Sequence, residues 1–179
     1  GPKYEAVNWD EARPDASTFA LMLDAATTHI IWGGNYFADL LPASRGWLFW
    51  DKLFENTTNF SHGELAWTSL DQRLVKFTFS SKAETCGGQL REHPTQKPEA
   101  VMRWALLQVP DARTVLDPFM GSGTTLVEGV LRGGTSIGVD VDPLARFIAR
   151  AKVTPVDHDR IGALGRELFR TRPDHRRGA

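Results

Sequence analysis

Hydrophobic and polar residues follow two patterns along this chain, one typical of strands and one typical of helices. Short apolar or alternating runs predict strands at residues 29–32, 46–52, 63–70, 74–80, 114–117 and 135–142. Apolar residues at helical spacing predict helices at residues 17–26, 99–108, 124–131, 143–151 and 161–169, and a short helical turn at 35–41. Strands separated by helices favour an α/β fold with a mostly parallel sheet, and residues 63–80 predict an antiparallel hairpin at one edge. Ser17 is expected to cap the first helix.

One stretch, TVLDPFMGSGTT at residues 114–125, combines a strand, a glycine turn and the start of a helix. Gly121 and Gly123 allow a turn that larger residues would block. The next predicted strand ends in the acids Asp140 and Asp142. This order describes a nucleoside-binding βαβ unit, in which backbone N–H groups at the helix N-terminus suit a phosphate or carboxylate.

The turn does not match the two commonest nucleotide motifs. It is not an ATP-binding P-loop because no lysine follows the glycines, and Leu126 occupies the third glycine position of the nicotinamide fingerprint. A strand-to-helix turn without a ligand is the alternative. Asp140 is the candidate acceptor for ribose hydroxyls. Asp142 competes with it, although its place before Pro143 also suits a helix cap.

Composition limits the class of protein. The chain has 179 residues, 41% of them hydrophobic, and a net charge of −1, which predicts one globular domain and gives no overall signal for nucleic acid. No apolar run reaches membrane length, and no signal peptide opens the chain. With one cysteine, Cys86, we expect neither an internal disulfide nor a metal site, and a cytoplasmic location.

A second segment, HPTQKP at residues 93–98, holds polar groups between two prolines. On its own it is also compatible with a simple helix entry. Together, HPTQKP and the later DPFMGSGTT resemble the amino-methyltransferases that use S-adenosylmethionine to methylate adenine N6 or cytosine N4 in DNA. The late position of the glycine turn resembles the circularly permuted β class, and IIWGGNYF (30–37), GWLFWDK (46–52) and ELAWTS (64–69) are also similar to members of that family.

The resemblance implies a Rossmann-like methyltransferase sheet and specific site residues. The methionine part of S-adenosylmethionine would be surrounded by Asp117, Phe119, Gly121, Gly123 and Thr124. Asp140 would bind the ribose, and Thr95, Gln96 and Lys97 would close over the cofactor from the other side. Core packing is favoured for most of the four tryptophans Trp32, Trp47, Trp50 and Trp67, with base stacking as the alternative for any that lines a pocket. Asn35 is a pocket candidate.

The family's catalytic loop, an Asp/Asn/Ser-Pro-Pro-aromatic tetrapeptide, does not occur in the sequence. Its polar side chain and following carbonyl would aim the lone pair of the base amine at the methyl group. In relatives this loop precedes a segment like residues 3–10, so we expect it, with a central strand, upstream of Gly1. Three interpretations stay open: a longer native protein, a partner segment or homodimer that completes the sheet, and a non-methylating relative that binds the cofactor or DNA.

The expected partner is double-stranded DNA, with adenine N6 favoured over cytosine N4 by resemblance only. We expect a single methyltransferase domain at residues 1–170, a reduced target-recognition loop at 82–92 and a basic tail at 171–179. The candidate phosphate contacts are Lys76, Lys82 and Arg91, with ordinary surface charge as the alternative. A bacterial or phage-infected cell is the expected setting, and a Rossmann oxidoreductase is the rival enzyme class.

Overall fold

The structure is a computed structural model that describes residues 13–53, 61–80 and 97–170. The strands are β1 (Ile30–Trp32), β2 (Trp47–Asp51), β3 (Gly63–Thr68), β4 (Val75–Thr78), β5 (Thr114–Asp117) and β6 (Thr135–Gly138). The helices are α1 (Ala16–Asp24), α2 (Glu99–Leu107), α3 (Thr124–Leu131), α4 (Pro143–Val153) and α5 (His158–Arg170), with a 3₁₀ helix at Gly34–Phe37. The predicted recognition loop at 82–92 and the predicted tail at 171–179 lie outside the described residues.

The described strands form two sheets. Four strands pair in the order β1-β3-β2-β4, and β5 pairs with β6. The α/β prediction is confirmed, but the strand directions are more mixed than predicted. Among the described strands, β2 with β4 and β5 with β6 are parallel, whereas β3 is antiparallel to both β1 and β2.

The predicted hairpin between residues 63–70 and 74–80 is wrong, because β2 lies between β3 and β4 and pairs with both. The burial of β2 explains this placement. Leu48 is fully buried and Trp50 nearly so, and a strand with such side chains gains most from a central position. Residues 76 and 78 of β4 are exposed, which fits an edge strand.

Several element ends also differ from the prediction, and two of them have a clear cause. Asp15, and not Ser17, caps α1, because its carboxylate accepts hydrogen bonds from the Thr18 backbone N–H at 2.8 Å and from the Ser17 hydroxyl. Strand β6 ends at Gly138, before the predicted residue 142, because the chain turns where the Asp142 N–H donates to the Asp140 side chain.

Helices cover the four-stranded sheet on both faces. Neighbouring residues of β3 point to opposite faces, so Trp67 packs with Phe19 of α1 while Ala66 packs with Ala105 of α2. Helix α2 also packs against α3, which covers one face of β5 and β6. Together α2 and α3 form a helical layer that connects the two sheets. None of the described helices combines the length and apolarity needed to cross a bilayer.

Candidate functional site

The glycine turn after β5 has a backbone that requires glycine at two positions. Gly121 has a φ of +49° and Gly123 a φ of +82°, both in the left-handed region. A Cβ atom at Gly123 would lie 2.7 Å from the Ala149 Cβ of α4, whereas one at Gly121 would meet nothing within 4 Å. Gly123 is therefore fixed by both backbone conformation and packing, and Gly121 by backbone conformation alone.

Asp140 lies beside this turn, as its spacing predicts. Its Oδ2 accepts a hydrogen bond from the Gly121 N–H at 2.8 Å, and its Oδ1 accepts one from the Asp142 N–H at 2.9 Å. Each carboxylate oxygen has a further lone pair that can accept a ligand hydroxyl. The competing acid, Asp142, instead accepts from the Leu144 N–H and caps α4. Ribose binding by Asp140 stays a prediction.

The other predicted residues of the turn are gathered at the same place. Asp117 Oδ1 accepts from the Phe119 N–H at 3.1 Å, and Phe119 is 62% exposed. Thr124 is the first residue of α3. The N-cap of this helix is Gly123, which has no side chain that could accept hydrogen bonds from the first backbone N–H groups. The N–H groups of the first turn of a helix have no acceptor within the helix, so they can bind an anionic ligand group.

An ion pair between an exposed arginine and a buried carboxylate aligns α2 with α3. Arg103 donates from Nε to Glu128 Oε2 at 2.9 Å and from Nη2 to Oε1 at 3.0 Å. Glu128 is 1% exposed, and its hydrogen bonds raise the pKa of the Arg103 guanidinium above its ordinary value. Helix α2 leads to the amino end of β5 and α3 to the amino end of β6, and these two strands are parallel. Arg103 and Glu128 each lie four residues after the first residue of their helix. The N-termini of α2 and α3 therefore lie side by side, at the carboxyl edge of the strands.

A second group of charges lies at this edge, at the carboxyl end of β2. Glu64 receives Lys52 Nζ at 2.7 Å on Oε1 and Lys97 Nζ at 3.4 Å on Oε2. We call these three residues the Glu64 cluster. The Lys97 ammonium also lies 5.7 Å from the centroid of the Trp32 ring. Burial alone would raise the pKa of Glu64, but the charges of Lys97 and Lys52 outweigh it and hold the pKa below its ordinary value of 4.5.

The tryptophans divide into two groups. Three indole N–H groups donate to backbone carbonyls, from Trp47 to Ser44, from Trp50 to Phe79 and from Trp67 to Pro42. These contacts fit the core packing favoured from the sequence. The indole nitrogen of Trp32 is buried and has no hydrogen-bond partner among the described residues. Trp32 is thus the one of the four that stays a candidate for lining a pocket.

The remaining predicted residues have different positions. Asn35 is exposed in the 3₁₀ helix that follows β1, so it lies near the carboxyl end of that strand. Lys76 Nζ donates to Asp51 Oδ2 at 2.8 Å, and its contact with DNA stays a prediction. Lys97 is directed to Glu64 in this structure. The candidates Thr95, Gln96, Lys82 and Arg91 lie outside the described residues.

Sequence reasoning missed Glu64, Lys52 and Glu128. Glu128 carries the one usable signal, because it is the only charged residue in α3 and its neighbours there are mostly apolar. A charge on the apolar side of a helix indicates a buried partner. The sequence contains no comparable signal for the contact of Glu64 with Lys97.

Two open surface depressions, of about 470 and 440 Å³, lie elsewhere. Both include Ala43 and Ser44 in their walls, so they lie at the amino end of β2. Ligands of open α/β sheets bind outside the carboxyl ends of the strands. We therefore place the candidate site at the glycine turn and not in these depressions.

Comparison with known proteins identifies relatives of this chain. A sequence model of the DNA methylases (N6_N4_Mtase) matches residues 31–149. The chain is 42% identical over 52 residues to the type II methyltransferase M.MvaI of Kocuria varians, covering 29% of this chain and 12% of that protein. It is 38% identical over 77 residues to the type II methyltransferase M2.DpnII of Streptococcus pneumoniae, covering 42% of this chain and 28% of that protein. The chain thus spans well under half the length of these relatives.

A solved structure resembles the fold. The crystal structure of M1.HpyAVI in complex with SAM matches with a TM-score of 0.58 at 20% identity, covering 78% of this chain and 80% of that one. The structure of M1.HpyAVI alone matches with a TM-score of 0.50 at 18% identity, covering 72% of this chain and 75% of that one. The predicted Rossmann-like methyltransferase fold is confirmed.

Proposed function

Because the chain belongs to the DNA methylase family, whose sequence model matches residues 31–149, we propose that it transfers a methyl group from S-adenosylmethionine to an exocyclic amine of a DNA base. The observation that carries the proposal is the glycine turn with the Asp140 carboxylate fixed beside it, 2.8 Å from the Gly121 N–H. S-adenosylmethionine supplies the methyl group, which its sulfonium activates for transfer.

The residues at the turn suit the parts of that cofactor. The first amides of α3 can receive the carboxylate of its methionine part, because Gly123 leaves them uncapped. The carboxylate of Asp140 can accept hydrogen bonds from the ribose hydroxyls. The exposed ring of Phe119 lies within the same turn and offers an apolar surface. Each role was implied by the family resemblance, and the geometry supports it.

The proposed substrate is an adenine N6 amine, favoured over cytosine N4 by the resemblance. A base amine inside a duplex cannot reach a cofactor, so the base must leave the stack. Trp32 is the last residue of β1, and Asn35 lies in the 3₁₀ helix that follows. We propose these two as pocket residues for the extruded base. The residues that aim the amine at the methyl group are not assigned, because no Pro-Pro-aromatic tetrapeptide occurs in the sequence.

A second candidate function, which the sequence leaves open, is binding of the cofactor or DNA without methyl transfer. The two functions share the glycine turn and differ in chemistry. A measurement of methyl transfer distinguishes the two functions, whereas a measurement of cofactor affinity does not.

The test uses protein produced from the complete gene. Transfer of label from S-adenosylmethionine to DNA, followed by identification of the modified base, is the expected result and decides between adenine and cytosine. Calorimetry with S-adenosylhomocysteine and with NAD accompanies it. Binding of S-adenosylhomocysteine without transfer would favour the second candidate, and binding of NAD alone would contradict both.

Asp140→Ala is expected to weaken S-adenosylhomocysteine binding by about 1–3 kcal/mol, which is roughly 5- to 150-fold in Kd, because the ligand loses a half-buried carboxylate acceptor. Isothermal calorimetry at pH 7 measures the change. Asp142→Ala is the matched control. Its carboxylate caps α4, so we expect a stability loss of about 1 kcal/mol and little change in Kd. The reverse outcome, an unchanged Kd for Asp140→Ala and a weakened one for Asp142→Ala, would make Asp142 the acceptor.

A further inference from the structure

The carboxylate of Glu64 ties the chain that enters α2 to the four-stranded sheet. The two oxygens of Glu64 have separate partners, because Oε1 receives Lys52 and Oε2 receives Lys97. The Lys52 side chain is 16% exposed and the Lys97 side chain 28%, so neither contact is fully solvated. Only Lys97 belongs to the segment leading into α2, whereas Lys52 directly follows β2. The two contacts can therefore be broken one at a time.

Lys97 is coupled to the first turn of α2 through its neighbour. Pro98 is fully buried, has a restricted φ, and serves as the N-cap of the helix. Its carbonyl accepts the Val101 N–H at 3.0 Å and the Met102 N–H at 3.1 Å. A displacement of Lys97 would therefore pass directly to the hydrogen bonds that begin α2.

The start of α2 lies beside the glycine turn. The ion pair between Arg103 and Glu128 fixes the register of α2 against α3. The end of α2 next to Lys97 and the end of α3 at Thr124 therefore lie at the same edge, the carboxyl edge of the strands. On this edge the glycine turn belongs to the two-stranded sheet and the Glu64 cluster to the four-stranded sheet. A ligand bound at the carboxyl ends of the strands has the turn on one side. The segment fixed by Lys97 is on the other side.

We propose that Glu64 is a positioning residue of the cofactor site. It holds the Lys97 ammonium against the face of Trp32, and this fixes the chain entering α2 at the distance from the glycine turn that the bound cofactor needs. The proposal rests on the proposed function, because that function places the cofactor at this edge. Glu64 itself is not expected to contact the cofactor or to take part in methyl transfer.

The experiment compares four single variants, and the double variant of Glu64→Gln with Lys97→Met, in protein from the complete gene by two readouts. Glu64→Gln and Lys97→Met break the contact that carries the proposal, Lys97→Arg retains it, and Lys52→Met breaks only the other contact of the same carboxylate. The first readout is hydrogen exchange of the Val101 and Met102 amides, which reports the start of α2 without any ligand. The second is the Kd of S-adenosylhomocysteine by calorimetry.

Glu64→Gln and Lys97→Met are each expected to speed exchange at the two amides and to weaken binding, in both cases by about five-fold, the size expected for a partly exposed ion pair. The double variant should bind S-adenosylhomocysteine no more weakly than the single variant with the lower affinity, because both substitutions remove the same contact. Lys97→Arg and Lys52→Met should stay within about two-fold of the parent protein. If Glu64→Gln does not fold, Lys97→Met carries the comparison, since its ammonium is already partly exposed.

Two results would overturn the proposal. One is a Lys97→Met variant with unchanged exchange and unchanged Kd. The other is a Lys52→Met variant that loses binding as strongly as Lys97→Met, which would indicate a general loss of order at this edge and not positioning through Lys97. If the parent protein does not bind S-adenosylhomocysteine, the proposed function fails, and the exchange readout still shows whether Glu64 anchors α2.

Discussion

Arg103→Met is expected to lower the free energy of unfolding by about 2–4 kcal/mol. Glu128 is 1% exposed and receives both of its side-chain hydrogen bonds from Arg103, so the substitution leaves a buried carboxylate without a partner among the described residues. The value lies somewhat below that of a wholly buried pair because the Arg103 side chain is 55% exposed. Urea denaturation at pH 7, followed by far-ultraviolet circular dichroism, measures the loss.

Arg45→Met is the matched control for this prediction. Arg45 pairs with Asp71 on the surface, where the two side chains are 72% and 86% exposed, so we expect a change within about 0.5 kcal/mol. Adding Glu128→Leu to Arg103→Met should recover much of the loss, because an apolar residue no longer leaves a buried charge. A loss for Arg103→Met no larger than that for Arg45→Met would show that the ion pair of Arg103 with Glu128 does not stabilise the contact of α2 with α3.

Gly123→Ala is expected to destabilise the protein by about 2–5 kcal/mol and to abolish measurable binding of S-adenosylhomocysteine. Two effects add at this position. Alanine at a φ of +82° costs about 1–2 kcal/mol, and the new methyl group would lie 2.7 Å from the Ala149 Cβ, which adds an overpacking cost of about 1–3 kcal/mol. To relieve the contact, the turn must move away from α4, and the first amides of α3 move with it. Thermal unfolding and calorimetry check the two effects.

Gly121→Ala separates the two effects. Gly121 has a positive φ of +49°, but a Cβ atom added there would meet nothing within 4 Å, so only the backbone cost of about 1–2 kcal/mol applies. Equal losses for the two variants would mean that the contact with Ala149 does not constrain the turn. A larger loss for Gly121→Ala would contradict the geometry directly.

The parts of the fold that depend on nearby residues could be predicted from the sequence. The bounds of α3, Thr124–Leu131, agree with the prediction, because apolar spacing defines the helix and glycines lie on both sides of it. The position of Asp140 beside the turn also follows from local order, since one strand, one helix and the next strand place it there. The fold class follows from the same alternation.

Contacts between distant segments could not be predicted in the same way. Residues 63–70 and 74–80 are close in sequence and look like a hairpin, yet the more buried β2 takes the place between them. Glu64 pairs with Lys97, which lies 33 residues later in the chain, and neither residue is marked by a local pattern. The charge of Lys76 makes it a candidate DNA contact, but Asp51 on the neighbouring strand is the group that its ammonium binds in the structure. Strand order and side-chain pairing depend on the whole sheet, which local periodicity does not report.

The two backbone hydrogen bonds to Asp140 have a consequence for the entropy of binding. A free carboxylate side chain samples several rotamers, and immobilising it when a ligand arrives costs about 0.5–1.5 kcal/mol. In this protein the Gly121 and Asp142 amides hold the carboxylate in the absence of any ligand, so that cost is met during folding. Affinity at the turn therefore depends also on two backbone N–H groups that bind the Asp140 carboxylate and not the ligand. A change that loosens either amide would lower affinity through entropy while every ligand-contacting group stays in place.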